Sequence, residues 1–307
     1  MGMIIDGKAV SASVKERIKA ETAKLKEQGI EVGLAVVIVG EDPASKVYVR
    51  NKKKACEEVG FNSYEYALPE ETTEQELLDL VNKLNADEKV NGILVQLPLP
   101  KHLDDKVIIN NILPEKDVDA FHPVNVGKIM IGDYNFLPCT PAGVMELIAA
   151  TGTEIQGKDC VVIGRSNIVG KPMAMLLLHK SGTVTICHSK TNNLKEIASR
   201  ADILVAAVGK PKIITADYIK EGAVVIDVGM DRDENGKLCG DVDFENCKDK
   251  AGFITPVPGG VGPMTIAMLM QNTLTAAKVK NGITEKEEAK PVNDRERNVW
   301  NKLFLHT

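Results

Sequence analysis

The sequence predicts an α/β protein built from two units. Three observations carry that reading. Apolar runs next to glycine recur along the chain, at residues 33–40, 92–95, 159–163, 202–209 and 223–229. A short run that is apolar on both faces suits a buried parallel strand. Stretches with apolar residues at helical spacing lie between these runs. The length, 307 residues, suits two domains or one large α/β unit with a sizeable core.

Composition narrows the partners. Lys plus Arg total 38 and Asp plus Glu 43, a net charge of −5. That argues against a general nucleic-acid binder, as does an aromatic content of 4%. No apolar run reaches the roughly 18 residues of a membrane span. The first residues lack the basic and apolar regions of a signal peptide, and Gly2 lacks the Ser or Thr expected for myristoylation. The six cysteines, at 56, 139, 160, 187, 239 and 247, form no C-x-x-C pair. They read as reduced packing residues of a cytosolic protein, and neither they nor the five histidines have metal-ligand spacing.

Residues 8–28 form an amphipathic helix on Val10, Val14, Ile18 and Leu25, closed by Gly29. After the strand at 33–40 and a loop at 41–44, a second helix runs from Ser45 to Val59. With Val47 at zero and 100° per residue, Tyr48, Ala55, Val59, Lys52, Ser45 and Cys56 fall in an arc from about 80° to 180°. Arg50, Lys53, Lys54, Glu57 and Glu58 point elsewhere. Lys52 alone of three consecutive lysines lies on the apolar face, one turn after Tyr48. It either snorkels to solvent or is buried with a lowered pKa.

A strand is expected near 62–68 and a helix near 74–87, with Leu77, Leu78, Leu80, Val81 and Leu84 inward. The strand at 92–95 ends in Gln96-Leu97-Pro98, where an open parallel sheet places its ligand crevice. Gln96 either meets a ligand or bonds local backbone. In Asp117-Val118-Asp119, Asp119 is either a turn residue or a carboxylate for a ligand with adjacent N–H donors.

The second unit begins near Thr140-Pro141, read as N-cap and first-turn proline. The strand at 159–163 runs into Gly164-Arg165-Ser166-Asn167-Ile168-Val169-Gly170, a strand-to-helix turn suited to cradling phosphate. The next strand, 183–187, ends in His188-Ser189-Lys190-Thr191, without the acid an NAD site usually carries there. The missing acid, with Arg165, favours a 2′-phosphate and hence NADP. Small residues at 206–209 and Gly229 let a cofactor lie close to the backbone. Pro258-Gly259-Gly260-Val261-Gly262-Pro263-Met264-Thr265 is a rigid loop, with a helix expected from Met264 to about Lys280.

Together these motifs resemble the bifunctional methylenetetrahydrofolate dehydrogenase/methenyltetrahydrofolate cyclohydrolase family. They comprise residues 45–52, 92–100, 117–119, 164–172, 188–191 and 258–265. Ala120 departs from the family pattern, where glycine is expected. The tail after 281 is longer than many bacterial members carry.

The resemblance implies two α/β domains flanking a cleft, the second a Rossmann-type doubly wound parallel sheet. Residues 1–138 plus 272–307 form the folate domain and 139–271 the NADP domain. It implies a cytoplasmic homodimer formed through the cofactor domain, acting in one-carbon metabolism toward purine biosynthesis. The catalytic set is Lys52, Gln96, Tyr48 and Asp119. Leu97, Pro258, Gly259 and Gly260 join these four around the folate. Thr140, Gly164, Arg165, Ser166, Ser189, Gly229 and Thr265 hold NADP. No metal is implied. Two alternatives stay open: a dehydrogenase-only member, which Lys52 with Gln96 argues against, and a noncatalytic folate- or nucleotide-binding protein.

Overall fold

The computed structural model describes residues 2–283. A short strand β1 (Met3–Ile4) leads into α1 (Gly7–Glu27), capped by Asp6, whose carboxylate accepts from the Lys8 and Ala9 amides. The first unit continues as β2 (Gly33–Val39), α2 (Pro43–Val59), β3 (Asn62–Leu68), α3 (Glu74–Ala86), β4 (Gly92–Val95), α4 (Asp105–Asn111) and α5 (Pro123–Ile131). Its sheet is parallel in the order β3-β2-β4, and Asp117 bridges to Ile93 beside β4.

The second unit holds α6 (Cys139–Ala150), β5 (Asp159–Ile163), α7 (Gly170–His179), β6 (Thr183–Cys187), α8 (Leu194–Ala198), β7 (Ile203–Ala206) and β8 (Val224–Asp227). A hairpin β9 (Asp231–Arg232) and β10 (Leu238–Cys239), α9 (Phe244–Cys247), β11 (Phe253–Ile254) and α10 (Val261–Lys280) follow. Six parallel strands form one sheet in the order β1-β11-β8-β7-β5-β6. The chain steps from β5 out to β6, then returns to the other side of β5 as β7. The reversal of strand order therefore falls between the ends of β5 and β7, the crevice in which doubly wound sheets bind ligands.

Three boundaries differ from the sequence expectation. Thr140 does not cap α6: the cap is Pro138, two residues earlier than expected, the helix starts at Cys139, and the Ala142 amide bonds the Pro138 carbonyl. A Thr-Pro pair imitates a cap, but the Thr140 hydroxyl is engaged elsewhere. The last helix starts at Val261, so Gly262, Pro263 and Met264 are its first turn. Proline is tolerated there because no intrahelical N–H bond is required of it. α2 likewise starts at Pro43, with Asp42 accepting from the Ser45 amide at 2.7 Å.

The N-terminus also crosses units. Met3 and Ile4 pair with Phe253 and Ile254 in the larger sheet, although the expected division assigns residue 1 onward to the first unit. α10 runs back to the first unit and packs on α6, α1 and α2. One apolar core therefore runs from Leu34 and Val36 through Met268 and Leu274 to Leu147, Val162 and Val205. Among the described residues no helix is long and apolar enough to cross a membrane. The apolar piece at 299–305 lies outside them.

Candidate active site

The buried face of α2 is built from Ser45, Val49, Lys52, Ala55, Cys56 and Val59, with Lys52 at its middle. Only 8% of Lys52 is exposed. Its Nζ donates to Gln96 Oε1 at 2.8 Å. The Gln96 amide in turn donates from Nε2 to the Leu97 carbonyl at 2.6 Å, which turns Oε1 toward the lysine. So Lys52 does not snorkel, and Gln96 bonds both a side chain and local backbone. Burial pushes the Lys52 amine below its ordinary value, against the pull of Asp119 and Cys139. A buried amine weakened in this way gives up its proton more readily than an exposed lysine, as a general base must.

Asp119 sits on the turn after Asp117. Burial pushes its carboxyl up to about 6, against the pull of Lys52; Asp117 raises it further and a bond from the Cys139 thiol opposes. Cys139 Sγ lies 3.7 Å from Asp119 Oδ1, and burial holds this thiol well above the ordinary range. Asp117 braces the turn: its Oδ2 accepts from the His122 amide and from Asn125 Nδ2, each at 2.8 Å. Ala120 is buried at φ +57°. That is the left-handed region where glycine is favoured, which accounts for the glycine expected there.

Tyr48 faces the second unit. Its hydroxyl meets Met230 Sδ at 2.7 Å, and both side chains are partly exposed, at 36% and 51%. The Gly259–Gly260 backbone packs on the start of α1. A Cβ on Gly7 would run into the Gly260 carbonyl and lie 2.8 Å from that of Gly259. Gly259 has φ +106°, and no side chain caps α10.

The Thr140 and Thr265 hydroxyls are 3.1 Å apart. Gly164, at φ +146°, packs on the Ala207 carbonyl, so the ends of β5 and β7 meet at the reversal of strand order. Ser166 Oγ accepts from the Val169 and Gly170 amides at 3.1 and 3.3 Å. Its hydroxyl thus holds the loop, a role the sequence did not suggest. Arg165 and Ser189 are exposed at the ends of the adjacent strands β5 and β6. A guanidinium and a hydroxyl without a neighbouring acid in the 188–191 turn fit a phosphate, and so fit NADP. Gly229 is buried, and a Cβ there would collide with Asp241. Asp227 explains that approach, its carboxylate accepting from the Gly229, Asp241 and Val242 amides. Burial pushes Asp227 up to about 7.

Two family models match this chain. The tetrahydrofolate dehydrogenase/cyclohydrolase catalytic domain covers residues 5–119, and the corresponding NAD(P)-binding domain covers 138–281. The chain belongs to the tetrahydrofolate dehydrogenase/cyclohydrolase family.

Relatives agree along nearly their whole length. The bifunctional protein FolD of Acetivibrio thermocellus is 64% identical over 277 residues, 90% of this chain and 97% of the relative. The crystal structure of the bifunctional FolD methylenetetrahydrofolate dehydrogenase/cyclohydrolase from Campylobacter jejuni is 52% identical, with a TM-score of 0.89, covering 91% of this chain and all of that one. The Trypanosoma brucei enzyme, solved with NADP cofactor and inhibitor, is 41% identical with a TM-score of 0.87, covering 91% and 98%.

Sequence reasoning missed four residues around this candidate site. Met230 meets Tyr48, Cys139 meets Asp119, and Asn272 donates to the Val118 carbonyl beside it, all from distant parts of the chain and without a local signal. Asp117 was visible as half of an Asp-x-Asp pair, but not as the brace of its neighbour.

Proposed function

We propose that the chain oxidises 5,10-methylenetetrahydrofolate to the methenyl form with NADP and then hydrolyses that product to 10-formyltetrahydrofolate. Family membership supports the reaction pair, and one observation carries it to this chain: a buried lysine amine held by Gln96, beside the Asp119 turn.

The first step removes a hydride from the N–CH2–N bridge and leaves a cation shared by two nitrogens. No proton leaves that carbon, so the protein's task is positioning. Asp119 anchors the pterin through its amino-pyrimidine edge, and Tyr48 packs along the aminobenzoyl ring. Leu97 and the backbone of Pro258, Gly259 and Gly260 border the folate. Bound NADP supplies the hydride acceptor. Arg165, Ser166 and Ser189 hold its phosphates, with Thr140, Thr265, Gly164 and Gly229 lining the rest.

The second step needs proton handling. Water adds to the methenyl carbon and loses a proton, which the Lys52 amine accepts. The carbon–N5 bond then breaks, N5 is protonated, and the formyl group stays on N10. One water is consumed and one proton released. A cationic substrate beside Lys52 lowers the amine's proton affinity further, which keeps it a usable base. Gln96 fixes the Nζ atom for this work.

Lys52→Met tests the assignment. Hydrolysis of the methenyl compound should fall at least about a hundredfold, the scale of a lost general base, in a folded protein that still binds NADP. Hydrolysis at the parent rate contradicts it.

The same reading includes the unit division at 138/139 and near 272, a cytoplasmic setting, and a product that feeds purine biosynthesis. It also includes a homodimer through the cofactor unit, supported by the open edge of β6 with Ile186 exposed. Light scattering should give about twice the 33.3 kDa chain mass; a monomer at all concentrations rules the dimer out.

A further inference from the structure

We infer that Asn272 is a positioning residue for the reaction, holding the Asp119 carboxylate through the Val118 carbonyl and the Cys139 thiol. The inference rests on reading Asp119 as the folate anchor.

Asn272 lies in the middle of α10 with 4% of its surface exposed. Its amide has two N–H donors. One goes to the Val118 carbonyl and one to the Leu137 carbonyl, each at 2.7 Å. Those carbonyls belong to separate stretches of chain. Val118 immediately precedes Asp119, and Leu137 leads into Cys139 at the start of α6. One amide therefore ties the Asp119 turn to the segment that presents the thiol.

Cys139 stands between them. Its Sγ is 3.7 Å from Asn272 Nδ2, 3.6 Å from the Val118 carbonyl and 3.7 Å from Asp119 Oδ1. The weak S–H donor reaches both the Val118 carbonyl and Asp119 Oδ1, so Asn272, bonded to that same carbonyl and 3.7 Å from the sulfur, fixes the group that meets the carboxylate. Removing the amide strips the Val118 and Leu137 carbonyls of their buried N–H donors and frees the Asp119 turn and the thiol to shift.

The helix carries this hold toward the cofactor side. Thr265 precedes Asn272 by seven residues, two turns of α10 and hence the same face. Its hydroxyl meets Thr140 of α6. The same face thus grips the Asp119 turn and, about 10 Å away along the axis, the Thr140 hydroxyl.

A merely structural asparagine would weaken the fold and lower all activities together. The experiment separates the two roles with Asn272→Leu, which has no donor, and Asn272→Ser, which keeps one. Each is measured for kcat and for KM toward methylenetetrahydrofolate and toward NADP, in the parent and in Asp119→Asn. The inference expects folate KM to rise about tenfold, equivalent to one lost buried hydrogen bond. NADP KM should stay within about twofold, and the Asn272 change should add little in the Asp119→Asn background. Unchanged folate KM, an equal fold-loss in both backgrounds, or failure of both variants to fold overturns it. If Asp119→Asn itself keeps the parent folate KM, the anchor reading falls and takes this inference with it. If Asp119→Asn raises folate KM and the Asn272 variants do not, the inference alone falls.

Discussion

Lys52 and Asp119 are shifted toward each other by one cause. Burial lowers the affinity of the amine for its proton and raises that of the carboxyl, while their mutual attraction opposes both shifts. For Asp119 the consequence has a sign. A carboxyl moved from 3.8 to about 6 holds its proton more tightly in the native chain than in the unfolded one. This term favours folding fully below pH about 3.8 and is lost as pH rises through about 6. In the proposed anchoring role binding runs the other way, because a pterin edge of N–H donors calls for the ionised acceptor. We predict that kcat/KM for methylenetetrahydrofolate falls as pH drops below about 6, approaching tenfold per pH unit. Steady-state kinetics at constant ionic strength measure it; a flat profile from pH 5 to 8 contradicts the role. The residue scale was unevenly legible. Lys52 stood out because one helical projection separates it from Lys53 and Lys54. Asp119 was ambiguous from its own neighbours, since an aspartate on a turn has a sufficient local reason to be there. Cys139 and Asn272 were silent: they meet from positions 133 apart, and nothing local encodes that pairing.

The loop at 258–265 shows how elements borrow shape from each other. Gly260 ends the loop and α10 begins at Val261, while the start of α1 lies directly on this backbone. Gly7 is therefore a packing glycine, although φ there is unremarkable. Gly7→Ala should destabilise the protein by about 1–3 kcal/mol, the cost of overpacking a tight contact. It should also raise folate KM by displacing Gly259 and Gly260. Urea unfolding and initial-rate kinetics check both; a loss under about 0.5 kcal/mol, the scale of an ordinary surface change, contradicts the packing account. β2 was plain in the sequence as an unbroken apolar run between glycines, and α3 because its apolar residues recur at helical spacing. β1 was not, because two residues have no period. The early start of α10 was hidden by its glycines and proline, which act as breakers only beyond the first turn.

At the scale of the whole molecule, two parallel sheets share one core and are joined by α1, α6 and α10. Tyr48 and Met230 meet where the units face each other. In the proposed mechanism this arrangement would let one bound folate meet a hydride acceptor held by the second unit and a proton acceptor held by the first. The measurement that tests this most directly follows every product at once. Purified protein is given 5,10-methylenetetrahydrofolate with NADP or with NAD, and reduced cofactor, methenyl and 10-formyl species are quantified separately. The account predicts reduced cofactor and 10-formyltetrahydrofolate in step, faster with NADP than with NAD. Accumulation of the methenyl species alone, or no turnover by a folded sample with either cofactor, would contradict it.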